Sequence, residues 1–487
     1  MSKPILVPLP EHPAVGFRLL FLITFFMLAP RAGIVFAAPV ISSVSGEVVD
    51  GSTVTVNGYG FGINKALEGN TIEWLGGASG NIETGVPESV FAKTNWTNAV
   101  PSSSFQPAVY SSDKSHSGTK SLKSFWPTTQ YASGFSHDTH GLSDGKIYAT
   151  WWVYYHHVNT NGQWKIWRLN NISSNGTSPQ GEIYSNQWFN GDGTLSQNMD
   201  LIFCGMPGVN GTRCFLGCNN GIPPTLDSYW GNGNSFINPG KWIRYELYAQ
   251  ESSSAGVRDA VFKTWFHKQD SAVYGFRNWQ SFPSRDLSLE YRDGQHSPSS
   301  DRIFINGQSS GATAWLTGWV DAATGLTISS TGQLYIDAVT GTFQIGENLM
   351  EGTTVLAVVD GLAGDTIAPW RYFHFQNYRG DFTTGDRTLE KIYMDDIFIQ
   401  TGTQARVELG DAPSWDACSH REIQPPCAWS ANSLEFTVNQ GTFLNGTTAY
   451  LFVVDESGTA GSGYPLSFGG VVSDAAAPYA PDNLTIQ

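Results

Sequence analysis

Basic residues are scarce in this chain. It has 27 lysines and arginines against 42 aspartates and glutamates, which gives a formal net charge of −15 at pH 7. A nucleic-acid partner requires an excess of cationic side chains to neutralise its phosphates. The charge balance therefore argues against nucleic acid, whereas an acidic glycan stays compatible if lysines and arginines gather in one cleft.

Long apolar runs are also missing beyond the N-terminus. The run Leu19–Ala29 follows Arg18 and is shorter than the roughly 20 apolar residues that span a bilayer. Val35 and Ala37 place small side chains where an export signal is cleaved. We therefore predict a signal peptide over residues 1–37 and no membrane span in the mature chain. The mature protein is expected to be secreted or at the cell surface, in a periplasmic or extracellular location.

Cysteine is rare, with five in the chain. In an oxidising compartment pairing is favoured over metal binding, and Cys418 and Cys427 bracket a proline-rich loop. We predict a disulfide between them and leave the pairing of Cys204, Cys214 and Cys218 open. The spacing of Cys418, His420 and Cys427 fits no zinc pattern.

Helix-period apolar stripes are hard to find, whereas strand-length alternation recurs throughout. The chain has 53 glycines and 17 tryptophans, which is typical of a loop-rich all-β protein. Its 487 residues exceed what a single core usually holds, so two or three domains are expected.

Aromatic and β-branched residues are concentrated in Lys146–Asn170. A polar Val-Asn-Thr-Asn-Gly link divides this segment, which predicts a hairpin of two strands. Because side chains alternate between the two faces of a strand, one face of each of these strands could pack into a core while the other face is exposed to solvent. Aromatic planes with polar tips suit sugar rings. The predicted substrate-binding residues here are Trp152, Tyr154, His156, Lys165 and Arg168.

A second informative stretch is Trp370–Gly380. Read as a strand, it places an indole, two phenols, an imidazole and an amide on one face, namely Trp370, Tyr372, His374, Gln376 and Tyr378. Such groups are costly in a core unless each finds a partner. They suit the wall of a saccharide cleft. We add Tyr372 to the substrate-binding set, together with Lys263 and Trp265 from Ala260–Phe266.

These residue types fit β-elimination at a uronic acid. That reaction removes the proton α to a carboxylate, whose charge must be damped, and it protonates the departing oxygen. Gln376 or Arg168 could damp the charge, and His374 or His156 could act as base. Tyr378 could be the acid, or the base if cations lower its pKa. The predicted catalytic residues are His374, Gln376 and Tyr378.

The two ends of the chain resemble one small domain. Pro39–Gly62 forms two alternating segments ending in Gly-Tyr-Gly-Phe-Gly, which is similar to the opening of an IPT/TIG domain, an immunoglobulin-like sandwich. Segments similar to its remaining strands follow much later, at Ala405–Gly410, Trp429–Val438, Ala449–Val454 and Tyr464–Phe468. The resemblance implies one sandwich formed by residues 38–69 and 403–470 and split by an insertion.

The insertion, residues 70–402, resembles concanavalin A-like jelly rolls. Ser115–Lys123 is similar to a family entry strand, and Lys391–Ile399 is similar to the closing strand. The set of strands looks like the jelly rolls of alginate-lyase-type and glucuronan-lyase-type polysaccharide lyases. Where alginate lyases carry Tyr-Phe-Lys-Ala-Gly-x-Tyr-Asn-Gln, Tyr372–Tyr378 keeps the aromatic framing without the lysine and the final Asn-Gln. Within the insertion we expect a small β subdomain at about 319–365, and after the sandwich a flexible tail at 471–487.

The leading hypothesis is a secreted polysaccharide lyase that cleaves a uronate-containing glycan of the alginate or glucuronan type. The alternative is a non-catalytic carbohydrate-binding or cell-surface adhesion protein on the same fold. We expect an acidic polysaccharide as partner, a monomer, and no required cofactor. Asp395 and Asp396 are adjacent, so their carboxylates are predicted on opposite faces, and one of them is a candidate structural Ca²⁺ ligand.

Overall fold

The computed structural model describes most of the chain beyond its N-terminus. The described residues are 37–69, 71–77, 80–97, 105–125, 132–139, 143–156, 162–170, 182–189, 195–208, 211–214, 240–254, 256–257, 259–268, 274–282, 287–299, 303–321, 328, 330–362, 370–380, 391–469 and 471–472. The predicted signal peptide lies outside them, except for Ala37. Over these ranges no helix is long and apolar enough to cross a membrane.

The described residues form an all-β protein. The first half of the chain contains strands β1 Val40–Glu47, β2 Thr53–Tyr59, β3 Ile72–Leu75, β4 Trp96–Thr97, β5 Phe105–Pro107, β6 Val109–Ser111, β7 Ser121–Phe125, β8 Ala132–Asp138, β9 Lys146–Tyr155, β10 Gly162–Asn170, β11 Glu182–Phe189, β12 Leu195–Gly208, β13 Gly211–Cys214 and β14 Trp242–Gln250. Short 3₁₀ turns lie at Lys65–Leu67, Asn81–Thr84, Ser143–Gly145 and Trp415–Ala417.

The second half continues in the same way. Its strands are β15 Ala260–Lys268, β16 Tyr274–Phe282, β17 Leu287–Arg292, β18 Ile303–Gly307, β19 Thr313–Asp321, β20 Gly332–Thr340, β21 Asn348–Glu351, β22 Thr354–Gly361, β23 Tyr372–Gly380, β24 Lys391–Thr401, β25 Arg406–Gly410, β26 Arg421–Gln424, β27 Pro426–Trp429, β28 Ser433–Thr437, β29 Thr448–Val454, β30 Tyr464–Ser467 and β31 Val471–Val472.

Two eight-stranded sheets face each other in a large sandwich. The front sheet has the order β13-β12-β11-β10-β23-β8-β4, with β5 parallel to β8. The back sheet has the order β16-β15-β14-β9-β24-β7-β6, with β3 beside β24. A single buried aromatic core joins them, since Trp151 of the back sheet stacks on Tyr245 and meets Phe373 and Phe375 of the front sheet edge-on at 5.5 and 5.3 Å.

The predicted hairpin over Lys146–Asn170 is wrong. Strand β9 pairs with β14 and β24 in the back sheet, whereas β10 pairs with β11 and β23 in the front sheet. The two strands are therefore consecutive in sequence but lie in opposite sheets. Alternation fixes which residues share a face of one strand, but it does not identify the strand that pairs with it.

Strands from both ends of the chain share a second, smaller sandwich, here called the small sandwich. Strand β2 pairs with β28, with Thr53 opposite Thr437, in the five-stranded sheet β27-β28-β2-β1-β31. A four-stranded sheet, β26-β25-β29-β30, covers it. Val54 and Val56 pack with residues such as Leu409 and Leu451 in one core. This pairing of distant segments is what a sandwich split by an insertion requires.

The first two residues of the predicted tail are part of a sheet. Strand β31 pairs with β1, with Val472 opposite Gly46, while residues 473–487 lie outside the described residues. A closed six-stranded barrel, β17-β20-β19-β18-β21-β22, lies within the insertion. It contains the strands found in the predicted 319–365 subdomain but begins earlier, at Leu287.

The predicted disulfide between Cys418 and Cys427 is wrong. Both are free thiols, and Cys418 is buried while Cys427 is exposed. The Cys418 sulfur lies 3.5 and 3.4 Å from the carbonyl oxygens of Ala412 and Ser414. Burial raises the pKa of Cys418 to about 11, so its thiol stays protonated. Proximity in sequence favours pairing only if the two Cβ atoms face each other.

A buried network of charges joins the back sheet to the small sandwich. Arg244 donates to Glu408 at 2.5 Å, and Arg406 donates to Glu246 at 2.8 Å. Arg421 lies 3.3 Å from Glu246 and 3.6 Å from Glu408. All five side chains are at most 1% exposed. Ion pairs that are shielded from water stabilise the fold only while every partner is present, because removing one partner leaves a buried charge uncompensated.

Glu408 is the centre of this network. Besides its arginine partners it accepts a hydrogen bond from Trp415 Nε1 at 2.6 Å. Burial by itself raises the pKa of Glu408, but the charges of Arg406, Arg244 and Arg421 outweigh burial and hold that pKa well below its ordinary value of 4.5. Glu408 therefore stays ionised in the folded protein at neutral pH.

Candidate functional site

Polar side chains line the face of the front sheet that points away from the core. Antiparallel neighbours directly opposite each other share a face. Across β10, β23 and β8 the register places Asn170, Tyr372 and Asp138 in one row, and Arg168, His374 and Ser136 in the next. Gln376 is opposite Gly134, and Tyr378 is opposite Lys165. We call this set the polar rows.

The sequence folds this way because the alternate residues are apolar. Trp167, Leu169, Phe373 and Phe375 point into the large core, and Phe135 of β8 stacks on Phe375 at 5.1 Å. With those rings fixed inside, the intervening side chains must face the other side of the sheet. The polar rows therefore follow directly from the burial of the aromatic residues.

His374 is held at both ring nitrogens. Its Nδ1 lies 2.5 Å from Ser136 Oγ, and its Nε2 lies 2.9 Å from Asn170 Oδ1. An amide oxygen only accepts, so Nε2 carries the proton and the Ser136 hydroxyl donates to Nδ1. The side chain is fully buried. His374 is therefore fixed between Ser136 and Asn170, and its predicted role as a base stays a prediction.

Gln376 is buried beside it with an unsatisfied amide. Its side chain is 1% exposed, and its Nε2 has no hydrogen-bond partner within the described part of the chain. Leaving a buried amide donor unpaired costs about 1–3 kcal/mol. Arg168, opposite His374 in the neighbouring strand, is partly exposed. Its guanidinium is a natural partner for a carboxylate.

Tyr372 lies at one end of the polar rows. Its ring stacks on the His374 imidazole at 6.2 Å, and the Arg371 guanidinium lies 5.1 Å above it. The Arg371 guanidinium in turn forms a bidentate salt bridge with Asp138, donating two hydrogen bonds of 2.7 Å each. Burial, and then the charge of Asp138, raise the pKa of Tyr372, so its phenol stays neutral and available as a hydrogen-bond donor.

Tyr378 and Lys165 are described as backbone only. They are opposite each other on β23 and β10, at the other end of the polar rows. Their side chains lie outside the described residues. The structure therefore brings Tyr372, His374, Gln376 and Arg168 together and places the backbones of Tyr378 and Lys165 in the same rows.

Trp152 and Trp265 are not part of this site. Trp152 stacks on His116 at 3.9 Å, and its Nε1 donates to Glu422 of the small sandwich at 3.1 Å. Trp265 packs edge-on against Trp415 at 6.4 Å. Both are buried between the back sheet and the small sandwich. The prediction that they face a sugar is therefore corrected, because a second layer of protein covers that face.

Tyr154, His156 and Lys263 also belong to the back sheet or its edge. Tyr154 packs against Trp242 at 5.5 Å, and His156 is exposed just beyond β9. The Lys263 ammonium lies 5.7 Å from the Tyr248 ring. Burial, and then the charge of Arg406, lower the pKa of Lys263. None of these three joins the polar rows, so their predicted role in substrate binding has no support from the geometry.

Three polar residues of the polar rows were missed, namely Asn170, Ser136 and Asp138. Asn170 is two positions beyond Arg168 on β10, so the period of the strand could have included it. Ser136 and Asp138 are in β8, whose sequence Ala-Ser-Gly-Phe-Ser-His-Asp carries no signal that it pairs with β23. Only the register of the sheet reveals that contact.

A possible metal-binding cluster lies elsewhere, beside the charge network. It consists of His116, Asp396 and Glu422, which offer ligand atoms within 4.8 Å of one another, and all three are buried. The predicted orientation of Asp395 and Asp396 on opposite faces is wrong. Asp395 Oδ2 accepts from the backbone nitrogens of His116 and Ser117, while Asp396 contacts the side chains of the same two residues.

The cause of that difference is a bulge in β24. Its register with β9 shifts between Asp395 and Phe398, and Asp396 has a φ of +47°. The bulge turns both carboxylates toward the 116–117 segment. Burial, and then the neighbouring charge of Asp396, raise the pKa of Asp395 well above its ordinary range.

Comparisons with known proteins give no family. No family model and no curated protein matches the chain. Among solved structures, a mutant of the alginate lyase Aly36B in complex with an alginate trisaccharide is 8% identical, with a TM-score of 0.28, covering 68% of this chain and 99% of that one. The alginate lyase vAL-1 from Chlorella virus is 8% identical, with a TM-score of 0.24, covering 63% and 93%.

A third structure is the tandem CBM22 domain of Xyn10C from Paenibacillus barcinonensis. It is 9% identical, with a TM-score of 0.16, and covers 68% of this chain and 98% of that one. Identities and TM-scores this low establish no common function. The all-β architecture itself rests on the strands and sheets described above.

Proposed function

We propose that this chain is a polysaccharide lyase that cleaves a uronate-containing glycan by β-elimination at the polar rows. The observation that carries the proposal is the unsatisfied Nε2 of Gln376, buried on the face of β23 that also carries His374 and Tyr372, with Arg168 opposite His374 on β10. An unpaired buried donor is costly unless a ligand acceptor satisfies it. A uronate carboxylate is such an acceptor.

In this proposal Gln376 and Arg168 bind the carboxylate of the sugar whose bond is cleaved. Their hydrogen bonds damp its negative charge and so acidify the proton on the adjacent carbon. A base removes that proton, its electron pair forms a carbon–carbon double bond, and the bond to the glycosidic oxygen breaks. The departing oxygen then takes a proton from an acid.

We assign the proton transfers to Tyr378. The backbone of Tyr378 is opposite that of Lys165 in the sheet register, and an ammonium that approached the phenol would lower its pKa and favour its ionised form. His374 has both nitrogens occupied and acts instead by orienting Asn170. The chain would act as a secreted monomer on an acidic polysaccharide and would need no cofactor for this elimination.

The test uses conservative changes in the polar rows. Tyr378→Phe keeps the ring and removes the only atom able to move a proton, so turnover should fall by about 10²-fold or more. Gln376→Ala should also lower turnover. The matched control is Tyr450→Phe, in β29 of the small sandwich, which should keep full activity. Unchanged melting temperatures would show that the fold is intact. A fully active Tyr378→Phe protein would overturn the assignment of that residue.

A non-catalytic carbohydrate-binding protein is the second candidate. It is favoured by the occupied nitrogens of His374, which leave that imidazole unable to act as a base without rearrangement. The two candidates differ in one outcome. A binder retains uronate polymer on an affinity gel without producing an unsaturated uronate, whereas a lyase produces it.

A further inference from the structure

A compact group of ionisable side chains lies where the back sheet meets the small sandwich. His116 and Asp396 come from the large insertion, and His420 and Glu422 come from the small sandwich. The side chains of His116, Asp396 and Glu422 are fully buried, while that of His420 is 14% exposed. The group does not touch the polar rows and takes no part in the proposed elimination.

The two ring nitrogens of His116 have different surroundings. Asp396 Oδ2 lies 2.7 Å from His116 Nδ1, and the other oxygen of Asp396 accepts from Ser117 Oγ at 2.6 Å and from the Gly77 nitrogen at 3.2 Å. Asp396 is thus held at both oxygens, and His116 Nδ1 is the ring nitrogen that contacts it. The other ring nitrogen, Nε2, is buried and has no hydrogen-bond partner in the described chain.

His116 Nε2 faces a carboxylate. Glu422 Oε1 lies 3.6 Å from it. A buried ring nitrogen and a carboxylate oxygen that face each other without a hydrogen bond leave room for a cation between them. A protonated imidazole would close the gap to the 2.7–2.9 Å of a charge-assisted hydrogen bond. The separation observed is closer to the roughly 3.3 Å between two ligands of a tetrahedral zinc ion, given metal–ligand bonds of about 2.0–2.1 Å.

Surrounding contacts orient these groups for a metal. Trp152 stacks on the His116 ring at 3.9 Å, and its Nε1 donates to Glu422 Oε2 at 3.1 Å, which leaves Oε1 directed at His116. His420 Nε2 approaches the same Oε1 at 2.8 Å. A carboxylate behind a histidine ligand, as Asp396 is behind His116, is the usual outer partner in zinc sites.

We propose that His116 and Glu422 bind a Zn²⁺ ion, joined by His420 once its 2.8 Å hydrogen bond to Glu422 opens, with Asp396 orienting His116 through Nδ1. Imidazole nitrogen and carboxylate oxygen suit zinc, whereas Ca²⁺ prefers oxygen ligands alone. The ion displaces the proton between His420 and Glu422, and water enters from the exposed side of His420 as the fourth ligand. Because its protein ligands come from both the insertion and the small sandwich, the ion ties the two together.

The experiment uses the full mature chain, freed of metal with a chelator and then alkylated so that no cysteine can bind zinc. Zinc is titrated in by calorimetry, and Co²⁺ serves as a spectroscopic probe of four-coordinate geometry. We expect about one Zn²⁺ per chain, an intense visible Co²⁺ spectrum and a higher melting temperature with zinc. His116→Gln and Glu422→Gln should each weaken binding by about 100-fold or more, and Asp396→Asn by about 10–100-fold.

The matched control is His267→Gln, which removes a buried imidazole of the same junction that contacts Arg421. It should bind zinc as wild type does. Absence of a four-coordinate Co²⁺ spectrum in the alkylated wild-type protein would overturn the proposal even if a variant failed to fold. Equal zinc affinity in wild type and folded His116→Gln would overturn it as well.

Discussion

Replacing Glu408 by glutamine should be among the most destabilising single changes in the protein. The substitution keeps the size of the side chain but removes the negative charge that faces Arg244 at 2.5 Å and Arg406 and Arg421 at 3.6 Å each. A single pair of charges about 4 Å apart is worth on the order of 4 kcal/mol at an effective dielectric constant of about 20. Part of this is offset because a neutral side chain is easier to bury.

Breaking one partner of a buried ion pair typically costs about 3–5 kcal/mol, and we expect Glu408→Gln to fall in that range. Urea unfolding followed by tryptophan fluorescence measures the loss, since Trp415 contacts Glu408 directly. The control is Glu47→Gln, an exposed glutamate on β1, which should change the unfolding free energy by less than about 0.5 kcal/mol. Arg244→Met should cost less in the Glu408→Gln background than alone.

The same variant has a defined pH dependence. The folded-state pKa of Glu408 is lowered, so its contribution is fully present above its ordinary pKa of 4.5 and is lost as the pH falls further. The gap in unfolding free energy between wild type and Glu408→Gln should be constant from about pH 6 to 8 and should narrow below about pH 4. A Glu408→Gln protein within about 0.5 kcal/mol of wild type at pH 7 would refute the reasoning about the network.

Three further predictions follow from the fold. Burial, and then the charge of Arg421, hold the pKa of His267 well below 6.5 in the folded protein. As the pH falls, the unfolded chain therefore takes up a proton at His267 before the folded protein does, and the free energy of unfolding should decrease below about pH 6.5. In urea titrations at pH 5–8, His267→Gln should reduce the slope of unfolding free energy against pH by up to about 1.4 kcal/mol per pH unit. Gly134→Ala should lower the melting temperature and any activity together, because its Cβ would lie 2.2 Å from the Phe375 carbonyl oxygen, and a variant as stable as wild type would contradict the β8–β23 geometry. Joining residues 38–69 to 403–472 through a Gly/Ser linker should give a soluble β protein that unfolds cooperatively, and an unfolded product by circular dichroism would count against the split sandwich.

The sequence predicted the class of the fold because alternation of apolar residues is a local property. It identified β23 and assigned Tyr372, His374 and Gln376 to one face, since these follow from the period of a single strand. It also indicated that segments at the two ends of the chain belong together, and β2 does pair with β28.

The sequence did not predict which strands pair with each other. Both faces of β9 are rich in aromatic residues, and nothing local indicates that one of them is covered by the small sandwich. Trp152 and Trp265 therefore looked like sugar-binding residues although they are sealed in a junction. The partners of His374 were not predictable for a related reason, since Ser136 and Asn170 come from two other strands. The free thiols of Cys418 and Cys427 likewise depend on side-chain directions that spacing does not specify.

The most direct measurement of the central proposal is incubation of the mature wild-type chain with a panel of purified polysaccharides. The panel contains uronate polymers such as alginate and glucuronan beside neutral glucans, and ultraviolet absorbance with mass spectrometry follows the new double bond conjugated to a carboxylate. The account predicts unsaturated oligosaccharides from at least one uronate polymer and none from the neutral glucans. Binding to uronate polymers without any unsaturated product, over long incubation and across the pH range of folding, would contradict it.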